Sequence, residues 1–288
     1  MSLNPEQLGR RSLSIGSSDS AAAIGLNPYC TAVELWQEKR GEVPPFEGNA
    51  PTKWGKILEA PVRQEYAEQT GRVVRLPPET LVHPKHSWIT CHPDGVTDDG
   101  RLYEGKTARY PDGWGESGTD QVPEQYIVQV QHAMMVTLLP VADLAVLIGG
   151  QDFRLYTIPA DEGLQAAILE AEAEFWAHVR NGTRPRLDLK APGAIEVLKK
   201  LYPGTNGQTV TATPEIEKHR KVLETAKKHA KESEQLAAQA KAALLDFMGS
   251  ASVLKFADGQ GFRRALVSRK GYVVEPTSYI DARFIAKG

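Results

Sequence analysis

Two carboxylates and a lysine stand at a spacing that can do hydrolytic chemistry: Pro93-Asp94, then Glu104-Gly105-Lys106. Side chains two apart on a strand share a face, so Glu104 and Lys106 project together. A hairpin between them and Asp94 brings the second carboxylate beside that face. Neighbouring carboxylates repel unless a divalent cation neutralises them, and an all-oxygen ligand set suits Mg2+ or Mn2+. A lysine beside them can orient a water and offset charge on an attacked phosphate, which is an arrangement for metal-assisted phosphodiester hydrolysis. The spacing alone does not decide it: Asp-Gly is a common turn, and Glu-x-Lys on a strand is usually a solvated face.

The elements that must position these residues can be read from local signals. Asp98-Asp99-Gly100 is a hairpin turn between strand-like runs at 94–97 and 101–107. Upstream, Thr31-Ala-Val-Glu34 is a capping box opening a helix that stops at Gly41. A second helix is expected over about 52–70, ended by Gly71, with Pro61 as a kink. Short strands are expected at 72–76, 80–83 and 87–91. Downstream, Pro123 suits the first position of a helix reaching about Leu138, followed by strands at 144–148 and 153–158. Leu164, Ile168, Ala171, Phe175 and Val179 form one apolar stripe of a helix ended by Asn181-Gly182. This order predicts an α/β fold, a mixed sheet flanked by helices.

Three regions are expected: a first domain over 1–188, a linker over 189–213, and a long helix with a small β tail over 214–288. The long helix opens at Pro214 and is stopped by Gly249, and strand-like pieces follow around Asp258-Gly259 and at Arg264–Ser268. Ile216, Leu223, Ala230, Ala237 and Leu244 recur every seven residues. Polar or small residues between them favour an amphipathic helix lying on its own domain, or on a short helical partner, over a stable coiled coil.

With 34 basic and 36 acidic residues the 288-residue chain carries a net charge of −2, which fits neither a polybasic nucleic-acid coat nor an acidic tail. Two cysteines cannot build a disulfide framework or a four-cysteine iron–sulfur site. The most apolar stretch, His132–Gly150, contains Pro140 and Asp143, so no membrane span is expected. No apolar signal region follows Arg10-Arg11, and a cytoplasmic protein is expected. His83, His86, Cys91 and His92 match no common zinc spacing. His132 shares a helix face with Gln129 and reads as a satisfied polar neighbour, and Lys218–Lys231 as a solvated helix face.

Three further features accompany the paired carboxylates. Trp54-Gly55-x-x-x-Glu59 places a glutamate within a helix, and Tyr126-x-x-Gln129-x-Gln131-His132 lies on the helix after the hairpin. Arg11-x6-Ser18-Asp19 lies near the N-terminus, followed by Ile24-Gly25-x-Asn27-Pro28-Tyr29. Taken in this order, the set resembles the phage-type alkaline exonucleases: the YqaJ-like viral recombinase nucleases related to the exonuclease of phage lambda, within the PD-(D/E)xK superfamily. The resemblance runs from about Arg11 to Arg184, and the C-terminal helix and tail look like the extension on many phage versions.

The resemblance implies a restriction-endonuclease-like core with a central mixed sheet. It implies that Asp94, Glu104, the backbone carbonyl of Gly105 and Glu59 hold two Mg2+ ions, with Mn2+ able to substitute. Lys106 would be the catalytic lysine and Gln129 the glutamine of the site, while Arg11 and Ser18 would grip the 5′-phosphate. Unaided, an arginine beside backbone N–H groups at a helix start also suits an anion. Position 105 departs from the family, which usually has an apolar residue there, although the implied contact is through backbone. The activity implied is 5′→3′ exonucleolysis of double-stranded DNA ends, releasing 5′-mononucleotides and leaving 3′ overhangs. A single-strand annealing protein is the implied partner and a ring-shaped homotrimer the implied assembly. Two rival readings stand beside it: an endonuclease of the same superfamily, and a catalytically silent DNA-binding module worked by the C-terminal helix.

Overall fold

The computed structural model describes residues 12–191 and 193–266. In chain order its elements are β1 (Ile15–Gly16), α1 (Ser17–Ala23), α2 (Ala32–Lys39), α3 (Ala50–Thr70), β2 (Val74–Arg75), β3 (Leu81–Val82), β4 (Ile89–Cys91), β5 (Gly95–Thr97) and β6 (Leu102–Ala108). They continue with α4 (Glu124–Thr137), β7 (Val141–Ile148), β8 (Asp152–Pro159), α5 (Glu162–Asn181), α6 (Ala194–Leu201), α7 (Pro214–Met248), β9 (Val253–Lys255) and β10 (Gly261–Arg263).

The central sheet has the order β2-β5-β6-β7-β8, with β6 and β7 parallel and the other pairs antiparallel. Parallel neighbours need a crossover, and α4 supplies it. Three short strands, β1-β4-β3, form a second sheet in which β1 runs parallel to β4. The mixed α/β class is as the sequence leads one to expect.

Alternation along β6 sends its residues to two different layers. Leu102 joins Leu144, Val146 and Ile158 against Val130 and Met134 of α4. Tyr103 joins Ala145 against Val62 and Tyr66 of α3. The sheet is therefore sandwiched between α3 and α4. The hairpin turn closes as its sequence dictates: Thr97 N–H donates to Arg101 O at 2.9 Å, and Gly100 takes the left-handed φ of 82° that its position requires.

The caps explain several element ends. Thr31 Oγ1 accepts from Glu34 N–H at 3.2 Å, and Glu34 Oε2 accepts in return from Thr31 N–H at 3.1 Å. The α3 helix starts earlier than expected because Asn49 Oδ1 accepts from Thr52 N–H at 3.0 Å. Pro61 lies inside α3, and the helix carries on to Thr70.

One difference concerns the segment expected as linker. The α6 helix falls within 189–213 and packs Ala194 and Val197 against Val33 and Leu187. The first compact unit accordingly reaches Leu201, and the second begins at Tyr202. Within that second unit, α7 is capped by Thr213, which accepts from Ile216 N–H at 3.4 Å, and Met248 is its buried residue. The β9–β10 hairpin turns around Asp258-Gly259, but its second strand ends at Arg263: residues 264–266 of the expected Arg264–Ser268 piece are irregular, and Val267 and Ser268 lie outside the described residues. No helix among the described residues is long and apolar enough to cross a membrane.

Candidate active site

A cleft of about 250 Å³ opens where the N-terminal half of α3 crosses the end of β6. Thr52, Gly55, Lys56, Glu59 and Val62 line it from α3, and Gly105, Lys106 and Thr107 line it from β6, with Asp94 between the two. The α3 residues recur at helical spacing, so one helix face looks into the cleft. On the other layer Gln129 of α4 reaches Glu104. The structure thus brings Asp94, Glu104, Gly105, Lys106, Glu59 and Gln129 together at one end of β6.

The contacts among them are short. Gly105 N–H donates to Asp94 Oδ2 at 3.0 Å, tying the carboxylate of the hairpin to the strand. Glu104 Oε1 accepts from Lys106 Nζ and from Gln129 Nε2, both at 2.5 Å. Glu59 pairs loosely with Arg63 at 3.7 Å, one helical turn on.

Glu104 is buried, at 4% exposure. Burial and the charge of Asp94 push its carboxyl up from 4.5 to about 7, against the pull of Lys106. Burial works against the charge of the Lys106 ammonium, but Glu104 and Asp94 together hold its pKa above the usual lysine value. Anionic charge is crowded here beyond what one lysine relieves.

The residues present fit a hard divalent cation. Asp94, Glu104, the carbonyl of Gly105 and Glu59 offer only oxygen, and the raised carboxyl of Glu104 marks a place where added positive charge is favourable. Among the described residues no three histidines, cysteines or carboxylates are arranged to hold a metal outright. Each carboxylate is engaged elsewhere: Glu104 by Lys106 and Gln129, Asp94 by Gly105, Glu59 by Arg63.

The remaining candidates are placed differently. Arg11 lies outside the described residues. Ser18 is exposed on α1, whose N-cap is Gly16, and it does not line the cleft. Asp19 beside it accepts from Gly16 N–H at 3.2 Å and forms a buried ion pair with Lys39 at 2.6 Å. His132 is a core residue: its Nδ1 lies 2.7 Å from Glu172 Oε1 and its Nε2 2.9 Å from Thr90 O, with the His132 and Glu172 side chains fully buried.

Sequence reasoning missed two features of the site. Thr52 and Lys56 precede Glu59 by seven and three residues, a spacing that marks the same helix face. Tyr126 lies three residues before Gln129, and its ring sits 5.2 Å from Lys106 Nζ. Glycine at position 105 is accounted for by packing: a Cβ there would lie 2.9 Å from Tyr103 Oη and 3.6 Å from Val62 Cγ1.

Residues 6–139 match the model of the YqaJ-like viral recombinase domain. Over 215 residues the chain is 37% identical to the uncharacterized protein YqaJ of Bacillus subtilis (strain 168), an alignment covering 72% of this chain and 66% of that protein. The chain therefore spans just under two thirds of that relative's length. The alkaline exonuclease LHK-Exo of Laribacter hongkongensis superposes with a TM-score of 0.50 at 21% identity, over 62% of this chain and 94% of that one. Its complex with dAMP superposes with a TM-score of 0.50 at 22% identity, over 69% and 97%. At these identities the likeness establishes the fold alone, a mixed sheet between helices.

Proposed function

We propose that this chain, whose residues 6–139 match the model of the YqaJ-like viral recombinase domain, is a member of that family and a metal-dependent nuclease. Its substrate would be the end of double-stranded DNA, degraded 5′→3′ with release of 5′-mononucleotides and a 3′ single-stranded overhang left behind. The observation that carries this reading is that Asp94, Glu59 and Lys106 line one cleft while Glu104, buried beside Lys106 and bonded to it, has its carboxyl raised. A relative of the same fold has been crystallised with dAMP, a nucleoside monophosphate of the product class proposed here.

Asp94, Glu104, the Gly105 carbonyl and Glu59 would hold two Mg2+ ions, or Mn2+ in their place. Bound there, such ions acidify water and neutralise charge building on the attacked phosphate. The chain's own groups do the rest. Lys106 orients the attacking water and offsets negative charge on the phosphoryl oxygens. Gln129 holds Glu104 by its Oε1, which keeps the other carboxylate oxygen available. The Gly105 N–H fixes Asp94 in the same way. Arg11 and Ser18 would grip the 5′-phosphate and so set the polarity.

By family resemblance the protein would act in the cytoplasm as a ring-shaped homotrimer around DNA, delivering the overhang to a single-strand annealing protein. The test is digestion with Mg2+ of linear duplex DNA with and without 5′-phosphate, alongside closed circular duplex. Mononucleotides from phosphorylated linear ends with intact circles are expected. Linearised circles would replace the exonuclease reading with an endonuclease, and failure to cut any DNA would overturn it.

A further inference from the structure

Lys106 has a second partner that the chemistry above does not use. Its Nζ lies 5.2 Å from the centroid of the Tyr126 ring. That ring is fixed from behind: it stacks on Trp114 at 5.3 Å and an interplanar angle of 28°, and Trp114 meets Tyr156 at 5.6 Å. Trp114 and Tyr156 are both buried in the main core. The stack is held by main chain as well. Tyr156 Oη donates to Gly115 O at 2.8 Å, and Arg154 Nη1 donates to Trp114 O at 3.2 Å and to Gly115 O at 2.9 Å. Three aromatic rings in series thus end on the ammonium of Lys106.

The arrangement solves a conflict within the cleft. Lysine is a point charge on a flexible four-carbon stem, so its ammonium needs an anchor. Its anionic anchor, Glu104 Oε1, is shared with Gln129 and belongs to a carboxylate that the nuclease reading assigns to a cation. A ring face attracts an ammonium through its quadrupole but offers no oxygen lone pair to a hard dication. The ring is the anchor that Lys106 keeps when Glu104 serves another charge.

We propose that Tyr126 is a positioning residue that holds the Lys106 ammonium at the cleft through its ring face, independently of Glu104. Its effect on turnover rests on the nuclease reading above, whereas the ring–ammonium contact does not. Two measurements separate these. In metal-free protein, the ε-methylene proton resonance of Lys106, assigned by its loss in Lys106→Met, lies upfield of the other lysines in wild type and in Tyr126→Phe. It moves to their position in Tyr126→Leu.

In the DNA-end assay, Tyr126→Leu lowers kcat by about five- to thirtyfold with KM within about twofold, the size of a partly desolvated cation–π contact. Tyr126→Phe restores most of that loss, and incorporation of mono-, di- and trifluorophenylalanine at position 126 lowers kcat stepwise at constant shape. A purely packing role would not follow ring electron density. An unshifted Lys106 resonance in wild type overturns the contact, and a flat fluorine series in an active enzyme overturns the positioning role and leaves the nuclease reading intact. Loss of folding in Tyr126→Leu leaves the fluorine series to decide. A wild type that cuts no DNA overturns the nuclease reading and with it the effect on turnover, while the resonance still tests the contact.

Discussion

Replacing Glu104 by glutamine should strengthen the metal-free fold while abolishing cleavage. The Glu104 carboxyl is pushed from 4.5 to about 7 by burial and by Asp94. An acid raised in the folded protein keeps its proton over a pH range in which the unfolded chain has already lost it. Stability therefore falls as pH climbs from about 4.5 to about 7, and the whole penalty is present above that. At about 1.4 kcal/mol per pH unit, the shift amounts to about 3 kcal/mol at pH 8. Glutamine is the neutral isostere, and its Oε1 can still accept from both Lys106 and Gln129. The gain in Glu104→Gln is thus up to about 3 kcal/mol, or about 6–12 °C in Tm for a unit of this size. Thermal unfolding in EDTA at pH 5 and pH 8 measures it: the two proteins should nearly coincide at pH 5 and separate at pH 8. Added Mn2+ should raise the wild type, by about 2.7 kcal/mol at a hundredfold excess over its Kd, and leave the variant unmoved. A variant less stable than wild type at pH 8 in EDTA would refute the charge-crowding argument.

Three further outcomes are expected. Lys106→Ala should lower cleavage of linear duplex by on the order of a hundredfold or more with little change in circular dichroism, because the group acts on developing charge at a partly open site; near-normal turnover would remove the lysine from the mechanism. Truncation after Leu201 should leave a folded first unit, whereas truncation after Leu187 strips Ala194 and Val197 from Val33 and should cost about 2–5 kcal/mol, read as a lower denaturant midpoint; equal midpoints would return the boundary to 188. Arg11→Ala should slow digestion of 5′-phosphorylated ends about ten- to hundredfold, the size of a lost charge-assisted hydrogen bond, with little further loss on 5′-hydroxyl ends; an equal loss on both would make Arg11 a general contact.

What was legible beforehand was local. The Thr31–Glu34 box and the stops at Gly41, Gly71 and Gly182 depend on neighbours in sequence, and all of them stand in the structure. The face shared by Glu104 and Lys106 follows from the period of a strand, and the Asp98-Asp99-Gly100 turn then delivers Asp94. The α6 helix was obscured because its eight residues have nothing to bury against until Val33 and Leu187 arrive from other parts of the chain. The two-residue strand β1 has meaning only beside β4, where Ile15 pairs with Ile89. Tyr126 was visible as part of a motif, but its contact with Lys106 joins a helix to a strand, and no spacing along one element encodes that.

The glycine at position 105 ties the site to the layer beneath it. Tyr103 and Gly105 share the α3 face of β6, and the tyrosine hydroxyl occupies the space that a side chain at 105 would need. Glycine within a strand costs about 0.5–1 kcal/mol. Two contacts offset this: the N–H of Gly105 binds Asp94, and the Tyr103 ring packs on Tyr66 of α3 at 4.8 Å. Without a side chain at 105, α3 can lie close to the strand, so that a Cβ on Gly55 would stand only 3.7 Å from Thr107 Oγ1. That closeness carries Lys56 and Glu59 to the rim of the cleft. An apolar side chain at 105, which the resemblance would lead one to expect, would leave the backbone carbonyl in place but press on Tyr103. Gly105 is thus one half of a Tyr103–Gly105 pair: the two positions are coupled through packing, while the proposed site would use only the main chain at 105.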